Sequence, residues 1–265
     1  MIFAMSDIHG SLDALLRASD LIAPILDNSE DKIVFLGDYI DRGPDSAQVL
    51  EYIYELQKNA PEGKVVVLRG NHDNMFLSWL KNKYDTLHLA NDITLTTIKS
   101  FLRPFYEDWG SLVYDGQFTI YNSKNYLDVT KDVIGLIHSH YKELLEWYQE
   151  LPYFYEEDDT LFVHAGFDEI PGSNWADSSE ETMVWQYPAQ YRYTPWNKVI
   201  VAGHIMTKEL NSPLLPEEFR NSIYRNKDHI YIDGAACITD KLNILMVDPE
   251  KGQYYDAWTH EMITE

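Results

Sequence analysis

The sequence places a polar loop, Gly37-Asp38-Tyr39-Ile40-Asp41-Arg42-Gly43-Pro44, directly after the apolar run Lys32-Ile33-Val34-Phe35-Leu36. The β-branched and aromatic residues of that run predict a buried strand, so Asp38 should lie where the strand ends. Open α/β sheets bind ligands at such strand ends. Two carboxylates and an arginine need charged partners, and the flanking glycines allow a ligand to approach the backbone. The loop is therefore either a polar turn or a site for an ionic ligand.

Four other apolar runs also end in aspartate, asparagine or histidine. They lead into Ser6-Asp7-Ile8-His9, Arg69-Gly70-Asn71-His72, His164-Ala165-Gly166 and Gly203-His204. If the five strands lie in one sheet or in two packed sheets, their ends bring six side chains together: Asp7, His9, Asp38, Asn71, His164 and His204. Carboxylate, amide and imidazole groups are ligands of divalent metal ions of hard to borderline character. The pattern thus indicates a metal site.

The order of these blocks resembles that of the calcineurin-like metallophosphoesterases of the phosphoprotein phosphatase family. The resemblance rests on Asp7-x-His9, Gly37-Asp38-x-x-Asp41-Arg42-Gly43, Gly70-Asn71-His72-Asp73, His164-Ala165-Gly166 and Gly203-His204. An Asp-x-His pair by itself occurs by chance, whereas the first three blocks in this order form a specific signature. Their steps of about thirty residues suit one βαβ unit each.

The resemblance implies an α/β fold in a single domain over residues 1–265. We expect a four-layer sandwich, in which two mixed β-sheets are flanked by helices. The βα alternation lapses between residues 84 and 157, and this insertion is predicted to form a helical cap over or beside the site. Apolar spacing within it predicts helices over 94–102 and 133–151, and the stretch 108–131 is predicted to hold turns or a hairpin.

Composition and charge limit the partners of the chain. A formal net charge of −22 repels long polyanions and, without a local cluster of basic residues, argues against a nucleic-acid groove. The single cysteine, Cys237, cannot form an internal disulfide and is compatible with a reducing compartment. The candidate ligands begin at Asp7, which leaves no room for a leader, and no apolar run approaches the about 20 residues that span a bilayer. We therefore predict a cytoplasmic protein with no membrane partner.

Cleavage of a phosphate ester, which the resemblance implies, favours two metal ions that share one carboxylate. A pair of divalent cations about 3.5–4 Å apart can acidify a bridging hydroxide and hold a phosphoryl group for in-line attack by it. Asp38 is the candidate bridge. The resemblance divides the other ligands between the two ions: Asp7 and His9 on one, and Asn71, His164 and His204 on the other. It also implies Mn²⁺, although Fe, Zn and Co tolerate the same ligands.

His72 is predicted to be the general acid that protonates the departing alkoxide. Asp41 would orient this histidine and keep it cationic. Arg42 would clamp phosphate oxygens with its planar guanidinium. Other interpretations stay open: His72 as a sixth metal ligand or a solvent-facing side chain, and Asp41 and Arg42 as an ion pair with each other.

Three functions are compatible with these residues. The first is hydrolysis of phosphate monoesters, in particular by a serine/threonine protein phosphatase acting on a phosphorylated substrate. The alternative is a symmetrical bis(5'-nucleosyl)-tetraphosphatase, which shares most of the blocks but usually lacks an acidic residue at the position of Asp41. The third is a catalytically silent binding module that keeps the fold without the chemistry.

Substrate contacts are predicted from Arg42, Asn71 and Arg192. Protein phosphatases of this family have a second phosphate-binding arginine shortly after a tryptophan, but here Trp185 is followed by Gln186. Arg192 either replaces that arginine or is a surface residue of a tyrosine-rich loop. Asp73 stands where these phosphatases commonly have glutamate. Five histidines match no motif and are predicted to be structural or solvated: His88, His138, His140, His229 and His260.

Overall fold

The computed structural model describes residues 1–24, 30–85, 87–91, 95–104 and 126–264. Its first sheet contains the strands β1 (Ile2–Met5), β2 (Lys32–Phe35), β3 (Val65–Val67), β9 (Leu245–Asp248) and β10 (Gln253–Asp256). They lie in the order β10-β9-β1-β2-β3. The first three strands along the chain are parallel, whereas β9 is antiparallel to both β1 and β10.

The second sheet contains the strands β4 (Phe154–Glu157), β5 (Thr160–Val163), β6 (Val199–Ala202), β7 (Tyr224–Asn226) and β8 (His229–Tyr231). They lie in the order β4-β5-β6-β8-β7. The three central strands are parallel, and the two edge strands are antiparallel to their neighbours. Both sheets are therefore mixed, as the sequence predicts.

Helices connect the strands and cover the outer faces of the sheets. Leu12–Ile22 buries Ala14, Leu15, Ala18 and Ile22, which is the helical spacing expected of a crossover between parallel strands. The other helices are Ser46–Asn59, Asn71–Lys81, Leu87–Asn91, Thr96–Leu102, Tyr126–His140, Lys142–Gln149, Glu180–Trp185, Thr207–Leu210, Glu217–Arg220 and Ala236–Thr239, with a 3₁₀ turn at Trp175–Asp177.

The alternation of side chains along β1 explains why the fold has four layers. Ile2 and Ala4 face the second sheet and pack in a core that also contains Phe162, Val201 and Ile230. Their neighbours on the strand point the other way, into a core beneath the helices of the first sheet. A third core covers the outer face of the second sheet. These layers confirm the predicted four-layer α/β sandwich.

The described helices of the insertion extend the helical layer of the first sheet. Ser100 Oγ accepts a hydrogen bond of 2.9 Å from the Ala47 backbone, and Trp147 Nε1 donates one of 2.6 Å to the side chain of Gln57. The predicted helix over 94–102 is present as Thr96–Leu102. That the insertion caps the site, and that the chain is one domain, stay predictions.

The predicted helix over 133–151 is divided into Tyr126–His140 and Lys142–Gln149. Tyr141 separates them because it docks onto Phe101: its hydroxyl donates to the Phe101 carbonyl at 2.9 Å, and the two rings meet edge to face at 4.8 Å. Most of the mixed stretch 108–131 lies outside the described residues, and its last part, from Tyr126, is helical. No helix among the described residues combines the length and apolar character needed to cross a membrane.

The inter-sheet core should dominate the stability of the sandwich. Ile230 is fully buried between the sheets, so Ile230→Ala should lower the free energy of unfolding by about 2–5 kcal/mol in urea denaturation. Ile238 is 70% exposed, so the matched change Ile238→Ala should alter the free energy of unfolding by about 0.5 kcal/mol or less. Equal losses in the two variants would contradict the assignment of the core.

Candidate metal centre

The ends of five parallel strands bring the six predicted ligands together. Asp38, after β2, lies between two groups of side chains: its Oδ2 is 3.5 Å from His9 Nε2, and its Oδ1 is 3.5 Å from His164 Nε2. His204 approaches from β6, with its Nδ1 3.2 Å from Asn71 Oδ1. Asp7 completes the cluster, with its Oδ1 3.8 Å from His9 Nε2. The convergence expected from the sequence is therefore present.

The backbone of these loops is strained where the candidate residues lie. Six of them have φ between 47° and 69°: Asp7, His9, Asp38, Asp41, Arg42 and His204. Residues other than glycine adopt this left-handed region at a cost, although aspartate and histidine tolerate it better than most. Such conformations persist where the surrounding structure enforces them, which is typical of functional sites.

Two glycines allow the loops to approach one another. A Cβ atom on Gly70 would collide with the backbone and carboxylate of Asp38, and one on Gly203 would collide with Ser6 and with the carboxylate of Asp7. The second contact joins the two sheets, because Gly203 follows β6 and Asp7 follows β1. Only glycine permits the carboxylates to lie this close to the neighbouring backbone.

On one side of Asp38, His9 presents an unpartnered nitrogen to the cluster. Its Nδ1 donates to the Ile40 carbonyl at 2.7 Å, which leaves Nε2 as the unprotonated atom of a neutral ring. That atom is buried and has no hydrogen-bond partner among the described residues. A buried lone pair directed at two carboxylates lacks a donor, and a cation would satisfy all three groups.

On the other side, His164 is oriented in the same way. Its Nδ1 donates to the Leu36 carbonyl at 2.9 Å, so the lone pair of Nε2 faces Asn71 Oδ1 at 2.8 Å. Both atoms are hydrogen-bond acceptors whose lone pairs repel each other. A cation bound between them would turn this repulsion into attraction. The backbone carbonyls that fix the two rings thus act as the outer support that metal-ligating histidines normally have.

The electrostatics of the cluster also favour cations. Burial holds the pKa of His9 well below its usual range, and it lowers the pKa values of His164 and His204 to about 3, so the imidazoles are neutral. Burial, together with repulsion from Asp38, raises the pKa of Asp7 to about 7. Two buried carboxylates among neutral imidazoles leave negative charge uncompensated, which divalent ions would neutralise.

The residues therefore fit a pair of divalent ions that share Asp38. Asp7 and His9 could hold one ion with Asp38 Oδ2, and Asn71, His164 and His204 could hold the other with Asp38 Oδ1. Ligand atoms of Asp7, Asp38 and His164 lie within 4.8 Å of one another, and so do those of His9, Asp38 and His72. The assignment of these residues as ligands stays a prediction.

His72 stands between the cluster and Asp41. Its Nδ1 is 2.7 Å from Asp41 Oδ2, and its Nε2 is 4.0 Å from Asp38 Oδ2 and 3.5 Å from the guanidinium of Arg42. Burial opposes the cationic form, but Asp38 and Asp41 outweigh it and raise the pKa of His72 to about 9. Arg42 is exposed at the mouth of the site.

Comparison with known proteins identifies the family. A model described as calcineurin-like phosphoesterase matches residues 1–218. The chain belongs to this family. The resemblance inferred from the sequence blocks is thereby confirmed.

Relatives of this chain are named for different activities. A stretch of 82 residues is 40% identical to a symmetrical bis(5'-nucleosyl)-tetraphosphatase of Wigglesworthia glossinidia brevipalpis, covering 31% of this chain and 28% of the relative. A stretch of 83 residues is 40% identical to the catalytic subunit A1 of serine/threonine-protein phosphatase 2B of Saccharomyces cerevisiae, covering 31% of this chain and 14% of the relative. The match thus spans less than a third of the length of either relative.

A solved structure shares the fold over nearly the whole chain. The cold-active protein-tyrosine phosphatase of a psychrophilic Shewanella species superposes with a TM-score of 0.58 at 18% identity. The match covers 99% of this chain and 80% of the other. At this identity the likeness concerns the fold alone.

Arg192 is not brought to the cluster of this phosphoesterase. Its Nε donates to Glu169 Oε2 at 2.9 Å, and the other oxygen of that buried carboxylate is 2.8 Å from His229 Nε2. No described contact joins Arg192 to Asp38 or Arg42. The guanidinium is thus engaged by a buried carboxylate, which it compensates together with His229. Its predicted contact with substrate therefore has no geometric support.

Asp73 has a supporting role that sequence reasoning missed. Its carboxylate accepts hydrogen bonds from the backbone N–H groups of Gly70 at 2.7 Å and Asp38 at 2.9 Å, and from the hydroxyl of Tyr148 at 2.5 Å. It thereby ties the loops after β2 and β3 to the insertion. The sequence signals for it are its place in the Gly70-Asn71-His72-Asp73 block and at the first turn of a helix, where acidic residues are common.

Sequence reasoning also missed two residues near Asp41, because neither belongs to a recognisable motif. Thr97 donates its hydroxyl to Asp41 Oδ1 at 2.5 Å, and His88 Nδ1 lies 3.6 Å from Asp41 Oδ2. Both come from the insertion, far along the chain from Asp41, so spacing could not reveal them. Of the other unassigned histidines, His229 is buried against Glu169, whereas His138, His140 and His260 are exposed.

Divalent cations should stabilise this phosphoesterase through Asp38. Saturation with Mn²⁺ at about 100 times the dissociation constant should raise the free energy of unfolding by about 2.7 kcal/mol, seen as a higher melting temperature. Asp38→Asn should abolish this increment without lowering the melting temperature of the metal-free protein, because the substitution removes a buried charge. The exposed Asp20 supplies the control, since Asp20→Asn should keep the full increment. An unchanged increment in Asp38→Asn would remove Asp38 from the ligand set.

Proposed function

We propose that this chain hydrolyses phosphate monoesters with two divalent cations held around Asp38 and with His72 as the general acid. The observation that carries the proposal is the position of His72. One of its nitrogens is held by the carboxylate of Asp41 and the other faces the cluster, so a proton on Nε2 is directed at the space where a leaving group would lie. The family membership supports the coarser statement, a metal-dependent phosphoester hydrolase.

The chain's own residues would bind the substrate and move one proton. Arg42, exposed beside His72, is placed to pair with two phosphate oxygens, and the amide of Asn71 offers a further contact. When the bond between phosphorus and the leaving oxygen breaks, Nε2 of His72 gives its proton to that oxygen. Asp41 keeps the ring oriented throughout. Bound cations would supply the positive charge that the dianionic phosphate requires and the activation of the attacking water.

Asp41 supports a monoesterase, with serine/threonine phosphoproteins as the favoured substrates. An alkoxide is a poor leaving group and needs a proton, so an enzyme acting on phosphoserine gains from a histidine held cationic by a carboxylate. The Saccharomyces relative, which matches this chain over 83 residues, is named a serine/threonine-protein phosphatase. A nucleotide leaving group is already stable as an anion and makes less use of that carboxylate.

A symmetrical dinucleoside tetraphosphatase is the second candidate. The Wigglesworthia relative with that name is equally similar over a comparable length. A catalytically silent binding module is less favoured, because a scaffold has no need to direct the buried, unpartnered Nε2 of His9 at two carboxylates. Mn²⁺ as the metal and the cytoplasm as the location remain part of the proposal.

The leaving group should reveal the role of His72. His72→Asn should reduce kcat on phenyl phosphate by about 10²–10⁴-fold, the usual contribution of general acid catalysis, and much less on nitrophenyl phosphate. Asp41→Asn should show the same selectivity and keep its cation-induced rise in melting temperature, because Asp41 acts on His72 and not on the ions. Steady-state kinetics on the two esters measures both effects. Equal losses on the two substrates would exclude acid catalysis by His72.

A direct comparison of substrates tests the favoured function. With Mn²⁺ present, kcat/KM on a phosphoserine peptide should exceed that on diadenosine tetraphosphate. The reverse order would favour the tetraphosphatase. Absence of turnover on both, together with retained cation binding, would favour the binding module.

A further inference from the structure

Side chains contact the carboxylate of Asp41 from two directions. His72 contacts Oδ2 from the metal-centre side, at 2.7 Å. On the opposite side, His88 Nδ1 lies 3.6 Å from the same oxygen, and the Thr97 hydroxyl donates to Oδ1 at 2.5 Å. His88 and Thr97 both belong to the insertion, so the partner of the general acid is enclosed from behind by that segment.

His88 occupies an unusual environment for a histidine. It is completely buried, and its ring packs edge to face on Phe76 at 4.9 Å and against Trp79 at 5.6 Å. Neither ring nitrogen has a hydrogen-bond partner among the described residues. Placing an imidazole in an aromatic core is unfavourable unless its nitrogens are used. Of the two nitrogens, Nδ1 lies 3.6 Å from the carboxylate of Asp41.

Thr97 fixes the other half of the same carboxylate. Its hydroxyl donates to Asp41 Oδ1 and also accepts the backbone N–H of Asp41 at 2.9 Å. Asp41 has a φ of 69°, which an aspartate adopts readily only when its surroundings hold it there. One side chain of the insertion thus stabilises both the strained backbone and the orientation of the carboxylate.

We propose that His88 and Thr97 are positioning residues for proton transfer: they hold the Asp41 carboxylate in the one orientation that aligns His72 with the leaving group. This inference rests on the proposed function of His72. Thr97 supplies one hydrogen bond to Oδ1, and His88 blocks rotation of Oδ2 away from His72 and offers it a second N–H. The insertion therefore supports the proposed acid, His72, through Asp41 and from the side of the core.

The proposal distinguishes orientation of the acid from general stability. A misplaced Asp41 leaves the cation ligands in place but misdirects His72, so only reactions that need a proton should slow. His88→Phe keeps the aromatic packing with Phe76 and Trp79 and removes the N–H. His88→Asn keeps a donor close to the position of Nδ1. Thr97→Val and Thr97→Ser form the equivalent pair on the other oxygen.

The experiment measures kcat on phenyl phosphate and on nitrophenyl phosphate with Mn²⁺. His88→Phe and Thr97→Val should each lose about tenfold on phenyl phosphate, and about twofold or less on nitrophenyl phosphate, a part of the full effect of general acid catalysis. His88→Asn and Thr97→Ser should recover most of the loss. His138→Phe, on an exposed position of the same insertion, should behave as the wild type.

The outcomes separate this inference from the function on which it rests. Selective losses in Asp41→Asn, with none in His88→Phe or Thr97→Val, would overturn the inference and leave the proposed acid intact. Equal losses on both esters in His88→Phe and Thr97→Val would show a merely structural role and would also overturn it. If Asp41→Asn loses the same factor on both esters, the proposed role of His72 is wrong, and the inference that rests on it is wrong as well. The cation-induced rise in melting temperature reports for each variant whether the metal centre has formed.

Discussion

The burial of two carboxylates at the junction of the sheets is the constraint on which the site depends. Asp7 and Asp38 are removed from water, and burial raises the pKa of Asp38 to about 6. The protein compensates them in part with backbone N–H groups: that of His72 donates to Asp38 Oδ1 at 3.0 Å, and that of His204 donates to Asp7 Oδ2 at 2.9 Å. The remaining negative charge favours bound cations, because His9, His164 and His204 are neutral and the cationic His72 is held by Asp41.

Assembly of the candidate metal centre depends on the packing of the two sheets against each other. Asp7, Asp38 and Asn71 follow strands of the first sheet, and His164 and His204 follow strands of the second. The inter-sheet core brings the two sets of strand ends together. The candidate site of Asp7, His9 and Asp38 comes from the first sheet alone, whereas the second site adds His164 and His204 from the second sheet. Neither sheet by itself could bind the pair of ions, and this ties the chemistry to the stability of the sandwich.

The insertion contacts the residues around the candidate site from the side of the core. Tyr148 donates to Asp73, which orders the loops that carry Asp38 and Asn71, and Thr97 donates to Asp41. These contacts lie behind the proposed acid and the candidate ligands, where they hold the orientation of Asp41 and Asp73. Preorganised charged groups of this kind need such support, because displacements of about 1 Å can cost large factors in rate.

The amino-acid sequence alone determined the strands that lead into the site, their polar ends and the family, because apolar runs and the order of short motifs are local properties of the chain. The six candidate ligands could be named for the same reason. The tertiary structure decided what depends on contacts between distant segments. It placed Arg192 on Glu169, divided the predicted helix at Tyr141, and brought His88 and Thr97 to Asp41. Those pairings arise from packing between elements remote in the chain, where no spacing or periodicity records which side chains will meet.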